Sequence, residues 1–168
     1  NAGFIAPRYI TPLASPGVIG EGLVYMLKKE SPCYIHPRLN KDLISWLWKF
    51  KKAATEERVR AAGPVLRDVI RRNQELLEGF EQRGEMEFGY HKNGHMTICE
   101  TQHMLDKEKK NVEKANELGV TAKILSAKEV FEREPNAPKN TIGAAYYPGD
   151  AHLNPDKLMT ELNRFLKE

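Results

Sequence analysis

Gly143-Ala144-Ala145-Tyr146-Tyr147-Pro148-Gly149-Asp150-Ala151-His152-Leu153-Asn154-Pro155 carries three element signals in one short run. With Ile142 ahead of it, the stretch to Tyr147 reads as a strand. Pro148 to His152 reads as a turn, because proline presets φ and glycine relaxes it. Asn154-Pro155 then starts a helix, asparagine as N-cap and proline at the first helical position. That helix carries Leu158, Leu162, Phe165 and Leu166 on its inward side and ends at Lys167-Glu168 with no stop signal, as if cut. A strand that turns straight into a capped amphipathic helix asks for an α+β domain, and the rest of the chain agrees.

Upstream, Asn40 caps an amphipathic helix with Leu43, Leu47 and Phe50 on one face and Ile44 and Trp48 beside them, the spacing of a buried stripe. Trp46 falls off that stripe and should meet another element or a partner. A longer helical pattern runs from about Thr55 to Arg83, with Val59, Ala62, Leu66, Val69, Ile70, Leu76, Leu77 and Phe80 inward. Thr55 can cap it, although Arg58 cannot close a capping box. Gly63-Pro64 should kink or split it. The period then changes from about 3.6 to about 2. Met86, Phe88 and Tyr90, then Met96 and Ile98, alternate around Lys92-Asn93-Gly94, which predicts a β-hairpin. His91 and His95 flank that turn and read as solvent-facing rather than as a metal site. Thr101 starts a helix closed by Gly119, with Leu105, Val112, Ala115 and Leu118 inward. Val120 to Leu125 reads as a strand, and Ser126-Ala127-Lys128-Glu129 as a capping box opening a short helix that stops at Pro135.

The first residues, Asn1 to Gly17, hold Gly3 and Gly17 around Pro7, Pro12 and Pro16, so they form neither a central strand nor a helix interior. By composition this is a loose, Pro-rich arm. Val18 to Lys29 reads as a short helix, and Cys33 to Pro37, with His36 as a polar loop residue, as an extended piece between prolines.

The 168 residues, 40% hydrophobic, suffice for one core. Basic and acidic residues number 26 and 23, a net charge of +3 that argues against nucleic acid as a partner. Cys33 and Cys99 form no CxxC and read as free thiols in a reducing compartment. No run approaches the roughly 20 apolar residues of a membrane span, and no signal peptide is visible. These readings favour the cytoplasm. The chain holds no P-loop, HExxH or GxSxG, and Gly17-Val18-Ile19-Gly20-Glu21-Gly22 is not a dinucleotide fingerprint. No metal site and no self-contained catalytic set emerges from the residues.

Asn1-Ala2-Gly3-x-x-x-Pro7 followed by Pro12-Leu13-Ala14-Ser15-Pro16-Gly17-Val18 resembles the FAD-dependent D-amino-acid dehydrogenases of the D-amino-acid oxidase-type flavoprotein family. The likeness continues in order. It runs through Ser31-Pro32, Pro37-Arg38-Leu39 and Trp46-Leu47-Trp48-Lys49-Phe50, then Phe88-Gly89-Tyr90 with Gly94-His95-Met96, read as a family hairpin. It ends with Glu129 to Glu134-Pro135 and with Gly143 to Pro155.

The resemblance implies an inserted substrate domain whose helices pack on a small, mainly antiparallel sheet. Residues 1–17 would be the flavin-side arm, 18–152 the substrate (cap) domain, and 153–168 a helix leading back toward an FAD domain that lies outside this chain. It implies oxidation of an amino acid's Cα–N bond with FAD as cofactor, and Asn1, Ala2 and Gly3 beside the flavin. Arg8, Tyr9 and Thr11 read equally as pocket-facing or as loop-surface residues. Asp150 and His152 are candidates for the pocket edge or for an ordinary turn. The partners implied are an amino-acid substrate, the FAD-binding domain and a membrane-associated electron acceptor, which would allow a peripheral place on the cytoplasmic membrane. Alone, the chain is expected to bind no FAD and to be inactive, with an arm that is poorly packed, mobile or held by a second copy. The competing reading is a non-catalytic interaction module that docks a partner through exposed apolar residues such as Trp46.

Overall fold

A computed structural model describes residues 3–16 and 40–167. The expected helix over 18–29, the stretch 31–37 with Cys33 and His36, and Asn1 and Ala2 lie outside the described residues. The elements are β1 (Phe4–Ile5), α1 (Lys41–Ala53), α2 (Glu56–Arg83), β2 (His95–Cys99) and α3 (Gln102–Glu117). They continue with β3 (Lys123–Ser126), α4 (Ala127–Arg133), β4 (Gly143–Tyr147), β5 (Ala151–His152) and α5 (Pro155–Phe165). The chain divides into two compact units, Asn1–Tyr9 with Arg67–Glu168, and Ile10–Leu66.

The larger unit is the α+β domain. Its main sheet has the order β2-β4-β3, antiparallel throughout, with β4 in the middle. Small residues suit that centre: Ala144 and Ala145 are fully buried, and a Cβ at Gly143 would stand 2.7 Å from the Leu125 carbonyl oxygen. Leu125, Val130, Ala137 and Ala144 form one core, with Met96, Ile98, Phe131 and Tyr146 against it. A second core joins Leu77 of α2, Met86, Phe88 and Leu153 with Ile5, Phe80, Tyr90, Leu158 and Leu162. Arg67 and Arg71 of α2 donate to the carbonyls of Leu118 and Gly119 at the end of α3, at 3.2 and 3.3 Å. Cationic donors there satisfy carbonyls that the helix leaves open.

Local signals landed well. Asn40, Thr101, Ser126 and Asn154 all accept main-chain N–H bonds as N-caps, Thr55 accepts from Arg58 at 3.3 Å, and Gly119 takes φ +75° past the end of α3. The Ser126–Glu129 box is closed in both directions. Because α4 has only 7 residues, that box matters to it. Ser126→Ala should cost about 1 kcal/mol, read as a lower urea midpoint with an unchanged slope.

Several expectations are corrected. The hairpin at Lys92-Asn93-Gly94 does not form. Gly94 has φ +77°, but no described non-glycine residue has positive φ, so Asn93 cannot complete the turn such hairpins need. The Gly94 N–H instead donates to Asp150 O at 3.0 Å, and β2 pairs with β4. Met86 and Phe88 enter the second core without forming a strand. Helix α2 is not split at Gly63-Pro64, since losing one main-chain bond does not end a helix this long; Val69 and Leu76 on it are exposed. In α5, Leu158 and Leu162 pack inward, while Phe165 is half-exposed edge-on to Phe80 and Leu166 is exposed.

In the smaller unit, α1 buries none of its residues fully. Leu43, Leu47 and Phe50 share the less exposed face, but Ile44 and Trp48 are exposed, so the expected stripe is half-covered. Trp46 stacks on Phe50 at 5.2 Å, and Lys52 Nζ sits 3.7 Å from the Trp48 ring centroid. Among the described residues no helix is long and apolar enough to cross a membrane.

Candidate functional site at the arm

The arm is packed, against expectation, over Gly3 to Arg8. Strand β1 pairs antiparallel with β5, setting Phe4 opposite His152 and Ile5 opposite Ala151. On its other side, β5 exchanges two main-chain bonds with His91, at 2.8 and 2.9 Å. The arm therefore adds a strand to an edge that would otherwise stand open. Gly3 is buried with φ +72°, its carbonyl accepts from Leu153 N–H at 2.9 Å, and a Cβ there would collide with the Leu153 main-chain oxygen. Only glycine fits that combination.

Two proline-led turns then face each other. Tyr9 N–H bonds Ala6 O at 3.1 Å across Pro7-Arg8, and Asp150 N–H bonds Tyr147 O at 3.2 Å across Pro148-Gly149. Between them Arg8 Nε lies 3.4 Å from Asp150 Oδ2, with side chains only 13% and 5% exposed. Arg8 Nη2 donates to the Tyr9 hydroxyl at 3.1 Å, and the guanidinium also sits 5.3 Å from the Tyr147 ring centroid. Arg8 Nη1 and both Asp150 carboxylate oxygens are buried without an aligned hydrogen bond. Burial pushes the Asp150 carboxyl up to about 6, opposed by the Arg8 charge and by the nearby Arg8 main-chain N–H. Burial, and then the Arg8 charge, push the His95 imidazole down; that ring stands edge-on to Phe4 at 5.8 Å.

A second polar group fastens α2 beneath this turn. The Gln74 amide, buried, donates to Gly149 O at 2.9 Å and to Glu78 at 3.2 Å. Tyr90 OH and Lys92 Nζ both donate to the same Glu78 oxygen, at 3.0 and 2.8 Å. Burial pushes the Glu78 carboxyl up, but these donors outweigh it and leave it below the ordinary value, while the Tyr90 hydroxyl is pushed up to about 12, mainly by burial.

The structure thus brings Arg8, Tyr9 and Asp150 together, with Tyr9 largely exposed. His152 is exposed, its ring 5.3 Å from that of His91. Thr11 is exposed and belongs to the other unit. Tyr147 and Gln74 were not singled out from the sequence, and His95, expected to face solvent, is half-buried against Phe4; the repeated proline-led turn, Pro7-Arg8 and Pro148-Gly149-Asp150, was the available signal. Among the described residues no three His, Cys, Asp or Glu side chains converge on a metal-sized site. Cys99 is a free, buried thiol whose pKa burial raises.

The whole chain, residues 1–168, matches the family model for FAD dependent oxidoreductases, and the chain belongs to that family. Among its relatives is the D-amino acid dehydrogenase of Helicobacter pylori (strain ATCC 700392 / 26695), 29% identical over 172 residues, covering 99% of this chain and 40% of the relative. The D-amino acid dehydrogenase of Phenylobacterium zucineum (strain HLK1) is 28% identical over 153 residues, covering 89% and 36%. The chain thus spans about 40% of the length of the Helicobacter relative. In fold it is similar to L-proline dehydrogenase from P. horikoshii, with a TM-score of 0.51 and 22% identity over 57% of this chain and 25% of the other. Glycine oxidase from Geobacillus kaustophilus gives 0.51 and 22% over 58% and 27%.

Proposed function

We propose that this chain is the substrate-domain portion of an FAD-dependent enzyme that oxidises the Cα–N bond of a D-amino acid. The observation that carries the reading is the match of 99% of the chain to a D-amino acid dehydrogenase, within an FAD dependent oxidoreductase family. When bound, FAD accepts the hydride leaving the substrate Cα, and the resulting imine is hydrolysed by water to the oxo acid and ammonia. In this reading most FAD-binding segments would lie in sequence outside these residues, and Asn1-Ala2-Gly3 would be the stretch of this chain that meets the cofactor.

The one described residue of that loop fits such a place. Gly3 has no side chain to intrude, and its left-handed backbone and its bond to Leu153 N–H give the loop a defined exit. This chain's share of the work is to orient substrate and exclude water, since the flavin carries the redox chemistry. Its partners are the FAD-binding domain, the amino acid and a membrane-associated electron acceptor, with the enzyme in the cytoplasm or peripheral on its membrane.

The test uses the full gene product, purified with its flavin and kept anaerobic. D-amino acids should bleach the visible flavin absorption and L-enantiomers should not. A flavin that no D-amino acid reduces would overturn the reading.

A further inference from the structure

We propose that Arg8 and Asp150 are a positioning pair for the flavin-side loop: their ion pair locks the arm's turn onto the Tyr147–Asp150 turn and so fixes the place of Gly3. The inference rests on the function proposed above, because it takes that loop to run beside the cofactor.

The tethers of the arm can be compared directly. Main-chain bonds to β5 and the Leu153–Gly3 bond hold its strand, but a strand of two residues can peel away. Ile5 packs against the second core and Ala6 is buried, while Phe4 is 59% exposed and meets the His95 ring edge-on; apolar contact of this kind holds the arm without fixing its direction. Among the described residues, the Arg8–Asp150 pair joins the arm to the rest of its unit by charge.

Its geometry is poor value as a stabilising device. Arg8 Nη1 and both carboxylate oxygens lack a well-aligned hydrogen bond in a buried place, with only the Arg8 main-chain N–H near the carboxylate, and a poorly satisfied buried polar atom calls for an explanation. Two apolar side chains of similar volume would anchor the arm at a smaller desolvation cost. What they would not do is fix direction. A guanidinium held between a carboxylate and the Tyr9 and Tyr147 rings has one good orientation, and Arg8 is five residues from Gly3 through a turn closed by the Tyr9–Ala6 bond. Asp150 is held from its own side as well. Its carbonyl accepts from Gly94 N–H, and Gln74 grips the adjacent Gly149 carbonyl. The anchor is therefore stiff, and the arm is the element it positions.

The experiment compares Arg8→Gln, Asp150→Asn, Arg8→Lys and the apolar double variant Arg8→Met with Asp150→Leu, all in the full-length flavoprotein. Arg8→Gln, Asp150→Asn and the double variant should lower kcat by about 100-fold, the cost of a misplacement of about 1 Å, with KM nearly unchanged. They should alter the visible flavin spectrum and speed hydrogen exchange at the Leu153 amide. Arg8→Lys should restore part of kcat. The double variant separates position from stability, since its melting temperature should stay near wild type while kcat stays low. Wild-type kcat, spectrum and Leu153 exchange in the double variant would overturn the proposal, as would a rise in KM alone. If the wild-type flavin is not reduced by any amino acid, the functional reading falls separately, and the spectrum and the Leu153 amide still decide the pairing.

Discussion

Between pH 4 and pH 6 the chain should lose about 2 kcal/mol of folding stability through Asp150 alone, out of about 3 kcal/mol over the whole titration. The carboxyl is pushed up to about 6 in the folded state, against an ordinary value of 3.8. The folded chain therefore holds a proton that the unfolded chain has already released. Stability from this group is complete below the unfolded value and is lost as pH rises through the folded one. The loss is the reverse of what a well-satisfied salt bridge gives, because burial outweighs the Arg8 charge here. Other carboxylates titrate in the same window, so the measurement is the difference between wild type and Asp150→Asn, melted in urea at each pH. Asp150→Asn should remove the slope. Arg8→Met, which takes away the opposing charge, should enlarge the loss and move it to higher pH. An identical pH profile for wild type and Asp150→Asn would refute this account.

Gly3→Ala should cost about 3 kcal/mol, from a left-handed backbone that alanine resists and a main-chain collision that only displacement can relieve. The added carbon would meet the Leu153 carbonyl oxygen and stand 3.2 Å from Pro155 Cδ. Neither neighbour yields easily, since Leu153 is in the second core and Pro155 begins α5. The chain would free itself by unpairing β1 from β5. Urea melts give the loss, and faster exchange at the Leu153 amide locates it at the arm. A wild-type midpoint in Gly3→Ala would show that the left-handed turn is not required.

What could be read in advance follows the range of the interaction. Caps such as Ser126 and Asn154 speak to N–H groups three residues away, so the sequence displays both partners together. The strand at Gly143–Tyr147 was legible because its flanking proline turn and capped helix bracket it. Asn93-Gly94 misled because its signal is equally local while its outcome is not: β2 finds β4 across α3, β3 and α4. The arm failed for the same reason in reverse. Its prolines announce irregular backbone, and Pro7 does lead a turn, but nothing near it in sequence reveals Asp150 or the open edge of β5. Of the site candidates, Arg8 and Asp150 were each visible as residues. Their pairing was not, since a buried partner at the far end of the chain leaves no periodic trace.

The Phe4–His152 pairing joins positions nearly the whole chain apart. Closing so large a loop carries an entropy that local helices and the β3–α4 segment never meet. Pulse-labelled hydrogen exchange should therefore find the Leu153 amide protected after the β2–β4 and β3–β4 amides, with the arm docking once the sheet and second core have built the edge that receives it. On that order Gly3, the described residue of the loop proposed to meet the cofactor, would be among the last parts of this unit to find its place.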